Sequence, residues 1–548
     1  MAGDSVGTGE RDLLRRRSLL KGAGAAGIAG LAGCIEFNSV TADSPAEELI
    51  QEGFEAAGID PPFETAIAIT EDSEREKFAQ LLANELNDTG FFDVSVERRE
   101  FGSHVDLMVG AAENDENAMF VASWTGGWDP SDYVDMLFHS DNWTPNGFNV
   151  GHYGDDAVDR YIDAGLTETD LEERVETYRN LQERLVADSP ASFVRFREAT
   201  HVWDSGVVSG WETYPLRPGS YYAIYAPWAG VYTELEGTTE FIGDLGSDVT
   251  NYDPVEINGT VSSQATALIY EELLGIDFDG ELQPMLATDW EQLDETTYRF
   301  SLREGVRFHN GEELTADHVA GSLERYEGTI REGDVYDWYE TSEVIDEHTI
   351  DIVCQRAYGP FEQALFNVPI VPMAAIEGEH DLQSEPIGTG PYRFAEHDSG
   401  NHWRLTRFDD HWFEGSKSVP ATAPIETVRL EIIPEKSSRQ AALEAGDIHF
   451  SYGVPSASIA DLEGRDGYGV GRRVGGSFDM VLYPVYLPPF SEPSVRRGCN
   501  MLIPRERILE NVYYGIGQIG YTPISPMLEE YVSESFRERI AEEYVRPN

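Results

Sequence analysis

Apolar residues recur along this chain at two spacings. In residues 78–86 and 178–185 they are three or four positions apart with charged residues between them, which predicts amphipathic helices. In residues 298–302 and 428–432 they alternate with polar residues, which predicts strands with one buried face. Glycine-containing turn clusters such as 388–391 separate these segments. The pattern predicts an α/β protein, and the length of 548 residues favours more than one lobe.

The first 34 residues have the pattern of an export signal. A twin-arginine pair, Arg16 and Arg17, precedes a run of small and apolar residues from 22 to 33. The run is shorter than the roughly 20 apolar residues that cross a bilayer as a helix. It ends in Leu-Ala-Gly before Cys34, which resembles a lipobox and predicts lipid attachment at Cys34. The alternative is an ordinary buried amino-terminal helix. We therefore expect a protein tethered to the extracellular face of the membrane.

The net charge is −61, with 100 acidic and 39 basic residues. Such a surface repels nucleic acid, so we expect no nucleic-acid partner. Hydrophobic residues make up 41% of the chain and aromatic residues 11%, which is enough for a packed core and excludes a disordered acidic chain. The acidity is typical of halophilic proteins of the haloarchaeal type, whose carboxylates stay solvated in salt. It indicates habitat and says nothing about a ligand.

No motif for catalysis or metal binding occurs after the predicted export signal. From residue 35 onward the sequence contains neither a Gly-x-Ser-x-Gly segment nor a His-Glu-x-x-His helix, and the twelve histidines are scattered. We expect no metal and no cofactor, and we interpret His139 and His152 as structural. Cys354 and Cys499 could pair in an oxidising exterior, but we predict that both are buried and free.

Motifs in the second part of the chain resemble one family of binding proteins. They occur in order at 247–254, 298–311, 386–392, 439–447 and 489–497. Together they resemble the oligopeptide, dipeptide and nickel family (family 5) of extracellular solute-binding proteins of ABC importers. The resemblance implies an α/β fold of the periplasmic-binding-protein type II kind, with two large lobes, a hinge and a smaller subdomain. It also implies a monomer that is not an enzyme. Such a protein captures a peptide or similar solute between its lobes and delivers it to permease and ATPase subunits.

The order of the motifs looks circularly permuted. Residues 44–58, 124–130, 147–153 and 169–190 resemble the last part of the family, although they come first here. Residues 236–548 would then correspond to the usual first part and residues 42–232 to the usual last part. The join would lie near residues 230–237. A rearranged gene whose product does not fold is the alternative.

The permuted order predicts how the chain divides into lobes. The expected segments are a signal, a tether, then alternating pieces of lobe III, lobe I and the small lobe II: 1–34 signal, 35–43 tether, 44–195 lobe III, 196–270 lobe I, 271–386 lobe II, 387–475 lobe I and 476–548 lobe III.

The resemblance also implies candidate ligand-binding residues. Trp124 matches a cleft tryptophan of the family, and Gly127 stands where peptide binders carry an aspartate for the ligand's amino group. The segment is one residue shorter than in those binders, which is closer to the nickel-chelate binders and puts a peptide in doubt. Asp129 either contacts the ligand or caps the next helix. The full candidate set is Trp124, Trp128, Asp129, Asn149, Tyr252, Tyr336, Trp338 and Phe478.

Two other functions fit the sequence less well. A receptor that signals to a membrane transducer would use the same cleft. An exported hydrolase would need a catalytic motif, and in a chain with 100 acidic residues a nearby pair of carboxylates is no evidence for one.

Overall fold

The structure, a computed structural model, describes residues 42–546. The predicted signal, the tether up to residue 41 and the lipid site at Cys34 lie outside the described residues. Within residues 42–546, every helix is too short or too polar to span a membrane. The helices are α1 (Pro45–Ala57), α2 (Ser73–Asp88), α3 (Phe101–Gly110), α4 (Asp135–Phe138), α5 (Asp156–Thr167), α6 (Leu171–Asp188), α7 (Thr260–Thr266), α8 (Ala316–Glu324), α9 (Gly333–Tyr336), α10 (Phe361–Leu365), α11 (Met373–Ile376), α12 (Lys436–Ala445), α13 (Ser456–Glu463), α14 (Pro493–Leu502), α15 (Arg505–Asn511) and α16 (Glu534–Ile540).

The strands are distributed over almost the whole described chain. They are β1 (Phe63–Thr70), β2 (Phe92–Arg99), β3 (Ala118–Thr125), β4 (Ala191–Asp204), β5 (Val208–Ser209), β6 (Tyr225–Ala226), β7 (Val231–Tyr232), β8 (Glu234–Leu235), β9 (Glu240–Leu245), β10 (Leu274–Ile276), β11 (Leu282–Pro284), β12 (Ala287–Gln292), β13 (Thr297–Leu302), β14 (Tyr339–Asp346), β15 (Thr349–Cys354), β16 (Tyr392–Asp398), β17 (His402–Arg407), β18 (Thr427–Ile432), β19 (Phe450–Ser451), β20 (Tyr468–Leu482) and β21 (Gln518–Ile519). The result is an α/β fold with mixed sheets.

Local sequence signals explain several of these elements. The predicted helices at 78–86 and 178–185 are confirmed as α2 and α6, and the predicted strands as β13 and β18. Ser44 caps α1 by accepting a hydrogen bond from the Glu47 N–H, with proline in the first turn. Both described cysteines are buried and free, as predicted.

The largest sheet combines strands from distant parts of the sequence. Its order is β19-β4-β20-β3-β1-β2, and β21 pairs with β4. β1 runs parallel to β2 and β3, whereas β20 is antiparallel to β3 and β4. α2, α3, α6, α13 and α15 pack against it. We call this the main sheet.

Helices from the two ends of the described chain also pack together. α1 lies against α14, and both helices carry glycine at the contact. A Cβ on Gly53 would lie 2.4 Å from Val495 Cγ2, and one on Gly498 would lie 2.5 Å from Ile50 Cγ1. The two backbones therefore approach each other more closely than larger residues would allow.

Two further sheets have four strands each. The second sheet has the order β16-β17-β18-β9, with β9 parallel to β18. The small sheet, β12-β13-β15-β14, is antiparallel throughout.

β4 and β20 pair along most of their length, and a bulge interrupts them. The register shifts between Val474 and Phe478, opposite Arg197. A Cβ on Gly476 would lie 2.0 Å from the Gly126 carbonyl oxygen, and the Gly126 N–H donates to the Gly476 carbonyl oxygen at 3.1 Å. The bulge thus brings β20 against the chain that follows β3, and only glycine fits there.

Candidate functional site

Polar side chains collect at the carboxyl ends of the parallel strands β1 and β3. In open α/β sheets this edge is where ligands bind. β3 ends in Ser123, Trp124 and Thr125, and Arg75 from the first turn of α2 donates to Ser123 Oγ at 2.9 Å. The Thr125 hydroxyl lies 2.9 Å from that of Ser477 in β20.

The chain that follows β3 folds back on itself. A 3₁₀ turn at Pro130–Tyr133 returns Asp132 to the end of the strand. Trp124 Nε1 donates to the Asp132 carbonyl oxygen at 2.7 Å, and the Gly127 N–H donates to Asp132 Oδ2 at 2.9 Å. A Cβ on Gly127 would lie 2.7 Å from Asp132 Oδ2. The Asp132 carboxylate therefore occupies the space that a side chain at position 127 would take.

Asp132 lies in a cavity of about 260 Å³ between the main-sheet region and the small-sheet region. The wall is polar, and three of its eight residues are aspartates. It consists of Ser131, Asp132, Asp135, Met136 and Leu166 on one side and Asp337, Arg356 and Tyr358 on the other. The Gly359 N–H donates to the Leu166 carbonyl oxygen at 2.8 Å, which ties the two sides together.

The surroundings in the cavity disfavour the ionised form of its carboxyl groups. Desolvation by the surrounding protein, and next the neighbouring Asp129, raise the pKa of Asp132 to about 7, although Asp132 is exposed to solvent through the cavity. Burial also raises the pKa of Asp135 and of Asp337. Arg356 is the one basic residue among the lining residues, so the cavity favours a cation.

Both carboxylate oxygens of Asp129 accept hydrogen bonds from other residues of the protein. Its Oδ2 accepts from Arg174 Nη2 at 2.7 Å, and both side chains are about 5% exposed. Oδ1 accepts from the Ser131 N–H at 2.8 Å, which caps the 3₁₀ turn. Of the two roles predicted for Asp129, the capping role is confirmed.

Four other predicted ligand residues lie in the interior. Trp128 donates to the Tyr214 hydroxyl at 3.0 Å, and Asn149 donates to the Tyr153 carbonyl oxygen at 2.8 Å. Trp338 is 1% exposed and Phe478 is 0% exposed. These side chains pack against protein and present almost no surface to a solute in this structure.

The remaining three predicted residues are half-buried and are not brought together. Trp124 packs against Phe148, with 5.3 Å between ring centroids, next to Asp132. Tyr252 contacts Trp403 in the second sheet at 5.0 Å. Tyr336 is the last residue of helix α9, and its ring centroid lies 5.8 Å from that of Tyr339.

A second carboxylate at the end of β3 is fully paired. Asp479 in β20 accepts from Ser123 Oγ at 2.8 Å, from Arg195 Nε at 2.9 Å and from Arg197 Nη2 at 2.5 Å. Burial acts to raise the pKa of Asp479, but the two guanidiniums hold it well below its usual range. Within residues 42–546 no cluster of His, Cys, Asp and Glu has the arrangement of a metal site.

Sequence reasoning missed Asp132 and Arg197. Asp132 follows the Asp-Pro step of the tryptophan segment, and a signal was present: a glycine at the family's aspartate position with another aspartate one turn later. Arg197 carries no such signal, because strand β4 does not reveal which strand will lie beside it.

The comparison with protein families finds a match in the second half of the chain. Residues 281–544 match the family described as bacterial extracellular solute-binding proteins, family 5 Middle. That region is therefore similar to extracellular solute-binding proteins of this family.

Among individual relatives, the chain is 24% identical over 278 residues to the glutathione-binding protein GsiB of Pectobacterium atrosepticum, covering 50% of this chain and 53% of that one. The identity to GsiB of Escherichia coli O1:K1 is 24% over 283 residues, covering 50% and 54%. The chain thus spans about half the length of the curated relatives it matches. These relatives are named as binding proteins.

Solved structures of other proteins match shorter parts of this chain. The periplasmic binding protein DppA from Helicobacter pylori, in complex with a peptide, has 26% identity and a TM-score of 0.38, covering 41% of this chain and 49% of that one. NikZ from Campylobacter jejuni, in complex with Ni(L-His), has 20% identity and a TM-score of 0.37, covering 42% and 46%.

Proposed function

We propose that the protein is the extracellular solute-binding component of an ABC importer, and that it captures a peptide or similar small solute through an amino group bound at Asp132. The observation that carries the proposal is the Asp132 carboxylate, which lies against the Gly127 N–H in an acidic cavity. The permease and ATPase subunits of the importer are its expected partners.

An ammonium group suits this cavity chemically. Asp132 has no basic residue within salt-bridge distance in the described part of the chain, whereas Asp129 beside it is neutralised by Arg174. A bound ammonium would supply the missing positive charge and favour the ionised carboxylate. Asp132 would thus replace the family's aspartate, which is glycine at position 127. Trp124 would hold Asp132 in place and cover the solute.

The main sheet supports a permuted family fold with the predicted lobes. β1, β2 and β3 come from the block that resembles the usual end of the family, and they share the sheet with β20 from the other block. The proposed join at 230–237 carries two short strands and left-handed glycines at both ends. The bulge at Gly475–Gly476 would act as the hinge between the large lobes of a type II-like fold. Cooperative thermal unfolding of a chain from residue 35 onward would support this order, and an aggregated, protease-labile product would refute it.

Export and tethering complete the proposal. We expect twin-arginine export, a lipid on Cys34 and a monomer adapted to high salt, as the sequence predicts. Mass spectrometry of the membrane-extracted protein should find the amino-terminal peptide starting at a lipid-modified Cys34. An unmodified cysteine there would refute the anchor.

The binding proposal is tested with two mixtures of short peptides, one with free amino ends and one with the same peptides N-acetylated. After removal of bound cargo by unfolding and refolding, the protein is dialysed in concentrated KCl against each mixture, and retained peptides are measured by mass spectrometry. Retention of the free-amine mixture alone is expected, because acetylation removes the positive charge. Equal retention of both mixtures would refute the role of Asp132, and retention of neither would refute a peptide as solute.

A further inference from the structure

Three Asn-x-Thr segments occur in the chain, and each is a candidate for a covalent modification. The asparagines are Asn87, Asn142 and Asn258, and in each case a residue other than proline separates the asparagine from the threonine. This pattern is the acceptor for N-linked oligosaccharides in exported proteins. The pattern alone does not select among the three, so the folded surroundings of each asparagine have to decide which of them can react.

Accessibility in the folded protein matters because we propose twin-arginine export, which carries proteins that have already folded. An enzyme that transfers oligosaccharides outside the membrane would then meet the finished fold. It must reach the side-chain Nδ2 of asparagine, which carries two hydrogens and acts as a hydrogen-bond donor. An asparagine whose Nδ2 donates to another group of the protein is therefore closed to the transferase unless that contact opens.

Asn87 is built into the contact between α2 and β2. Its Oδ1 accepts from the Val94 N–H at 2.6 Å, and its Nδ2 donates to the Val94 carbonyl oxygen at 3.2 Å. The hydroxyl of Thr89 is occupied as well, because it donates to the Leu86 carbonyl oxygen at 2.6 Å. Both ends of the Asn87 amide thus hold the end of the helix to the strand, and the first segment is closed.

Asn142 is held in a similar way next to the candidate site. Its Nδ2 donates to the carbonyl oxygen and to Oδ1 of Asp135, each at 3.0 Å. A sugar on Nδ2 would leave it one hydrogen, so at least one of these two bonds would be lost. Thr144 is 4% exposed, and its hydroxyl lies 3.1 Å from His152 Nε2. The second segment is therefore closed too.

Asn258 is open where the other two are closed. Asn258, Gly259 and Thr260 are all exposed, in the loop that leads into α7. Oδ1 of Asn258 accepts from Asn251 Nδ2 at 3.3 Å, but its own Nδ2 and the Thr260 hydroxyl donate to no group within residues 42–546. The backbone is extended at Gly259, with φ −142° and ψ 139°, and a Cβ there would have open space around it. Both groups that define the pattern thus face solvent.

We infer that Asn258 carries an N-linked oligosaccharide in the exported protein. The donor is an oligosaccharide joined through phosphate to a membrane lipid. A bond forms between Asn258 Nδ2 and the first carbon of the sugar, and the bond between that carbon and the phosphate oxygen breaks. The lipid leaves as its phosphate, and the amide proton passes to a base of the transferase. This inference goes beyond the proposed binding function and rests on the proposed export.

Mass spectrometry of the protein extracted from the membrane of its native host tests the inference. The peptide that contains Asn258 should carry the mass of an oligosaccharide, and the peptides that contain Asn87 and Asn142 should be unmodified. Thr260→Ser keeps the hydroxyl of the pattern and should keep the modification, whereas Thr260→Val and Asn258→Gln should each lose it completely. These positions lie outside the candidate ligand site, so all three variants should bind peptides as the wild-type protein does.

The state of the amino terminus separates failure of this inference from failure of the proposed export. An unmodified Asn258 in protein that begins at Cys34 would overturn the inference alone. An unmodified Asn258 in protein that keeps its signal would overturn export and the inference together. An oligosaccharide on Asn87 or Asn142 in place of Asn258 would show that exposure in the folded protein does not select the site, and the assignment would then be wrong.

Discussion

Asp132 and Asp479 lie at the same end of β3, and their surroundings are opposite. Asp479 accepts hydrogen bonds from Ser123 and two arginines, which hold its pKa well below the usual range against the effect of burial. Asp132 accepts one from the Gly127 N–H, and burial beside Asp129 raises its pKa to about 7. Two neighbouring carboxylates on one sheet edge thus differ in charge state near neutral pH.

The difference distinguishes a structural group from a functional one. A buried carboxylate with its full set of cations fixes its own strand, here β20, to the strand that supplies those cations, here β4. A carboxylate that has no basic residue paired with it costs stability in the unliganded protein and is available to a ligand. Substituting Asp479 should therefore change mainly stability, whereas substituting Asp132 should change mainly ligand binding.

The largest expected effect is on stability, from Asp479→Asn. The substitution leaves two guanidiniums without their carboxylate, and loss of one partner of a buried ion pair typically costs about 3–5 kcal/mol. Because folding lowers the pKa of Asp479, its stabilisation is present above its ordinary value of 3.8 and is lost as the pH falls below that. Urea unfolding in concentrated KCl measures the free energy of unfolding.

Glu76→Gln is the matched control for that variant. It breaks an ion pair with Arg98 in which the side chains are 46% and 60% exposed. Exposed pairs contribute only about 0–1 kcal/mol, so this variant should unfold close to the wild-type midpoint. Similar midpoints for Asp479→Asn and Glu76→Gln would mean that Asp479 does not hold β4 and β20 together.

Asp132→Asn should act mainly on binding. The substitution removes the charge but can keep the hydrogen bond from the Gly127 N–H. Because the ligand's amino group loses a charged partner, the affinity for free-amine peptides should fall by roughly 10- to 100-fold. The Tm should rise at pH 8, because folding raises the pKa of Asp132 and the ionised carboxylate then destabilises the folded protein. The gain should vanish near pH 4, where the group is protonated in the folded protein. Asp141→Asn, at a side chain that is 92% exposed, is the control. An unchanged affinity for free-amine peptides in Asp132→Asn would exclude Asp132 from the site.

The contrast also shows what the sequence could predict. Periodicity and capping are local, so α2, α6, β13, β18 and the start of α1 were predictable. Asp132 acts at position 127 because a 3₁₀ turn brings it back, and Asp479 meets Arg197 only when β20 pairs with β4. Trp338 and Phe478 were assigned to the cleft by resemblance, but the sequence of a strand or loop does not say which face the fold buries, and both are buried here.

After the effects of Asp479→Asn and Asp132→Asn, the next largest expected effect is the pH dependence of peptide binding. With a pKa of about 7, Asp132 is mostly protonated at pH 6 in the free protein, so free-amine peptides should bind roughly tenfold more weakly at pH 6 than at pH 8 through this group alone. Peptide amino groups lose their proton above about pH 8, so affinity should be highest between about 7 and 8. Isothermal titration across this range measures it. Asp132→Asn should lose the acidic limb, and an acidic limb that survives in this variant would assign the titration to another group.

The smallest expected effect is that of Trp124→Ala. Trp124 is half-buried, and its Nε1 holds the Asp132 carbonyl oxygen at 2.7 Å. A lost hydrogen bond of this kind is worth about 1 kcal/mol, or roughly fivefold in affinity, and the lost ring cover would add to that. Trp124→Phe keeps most of the packing against Phe148 but removes the donor, so it separates the two contributions. The free energy of unfolding should change little beside that of Asp479→Asn. A collapse of the Tm in Trp124→Ala with normal affinity in Trp124→Phe would show that Trp124 supports the fold and does not position Asp132.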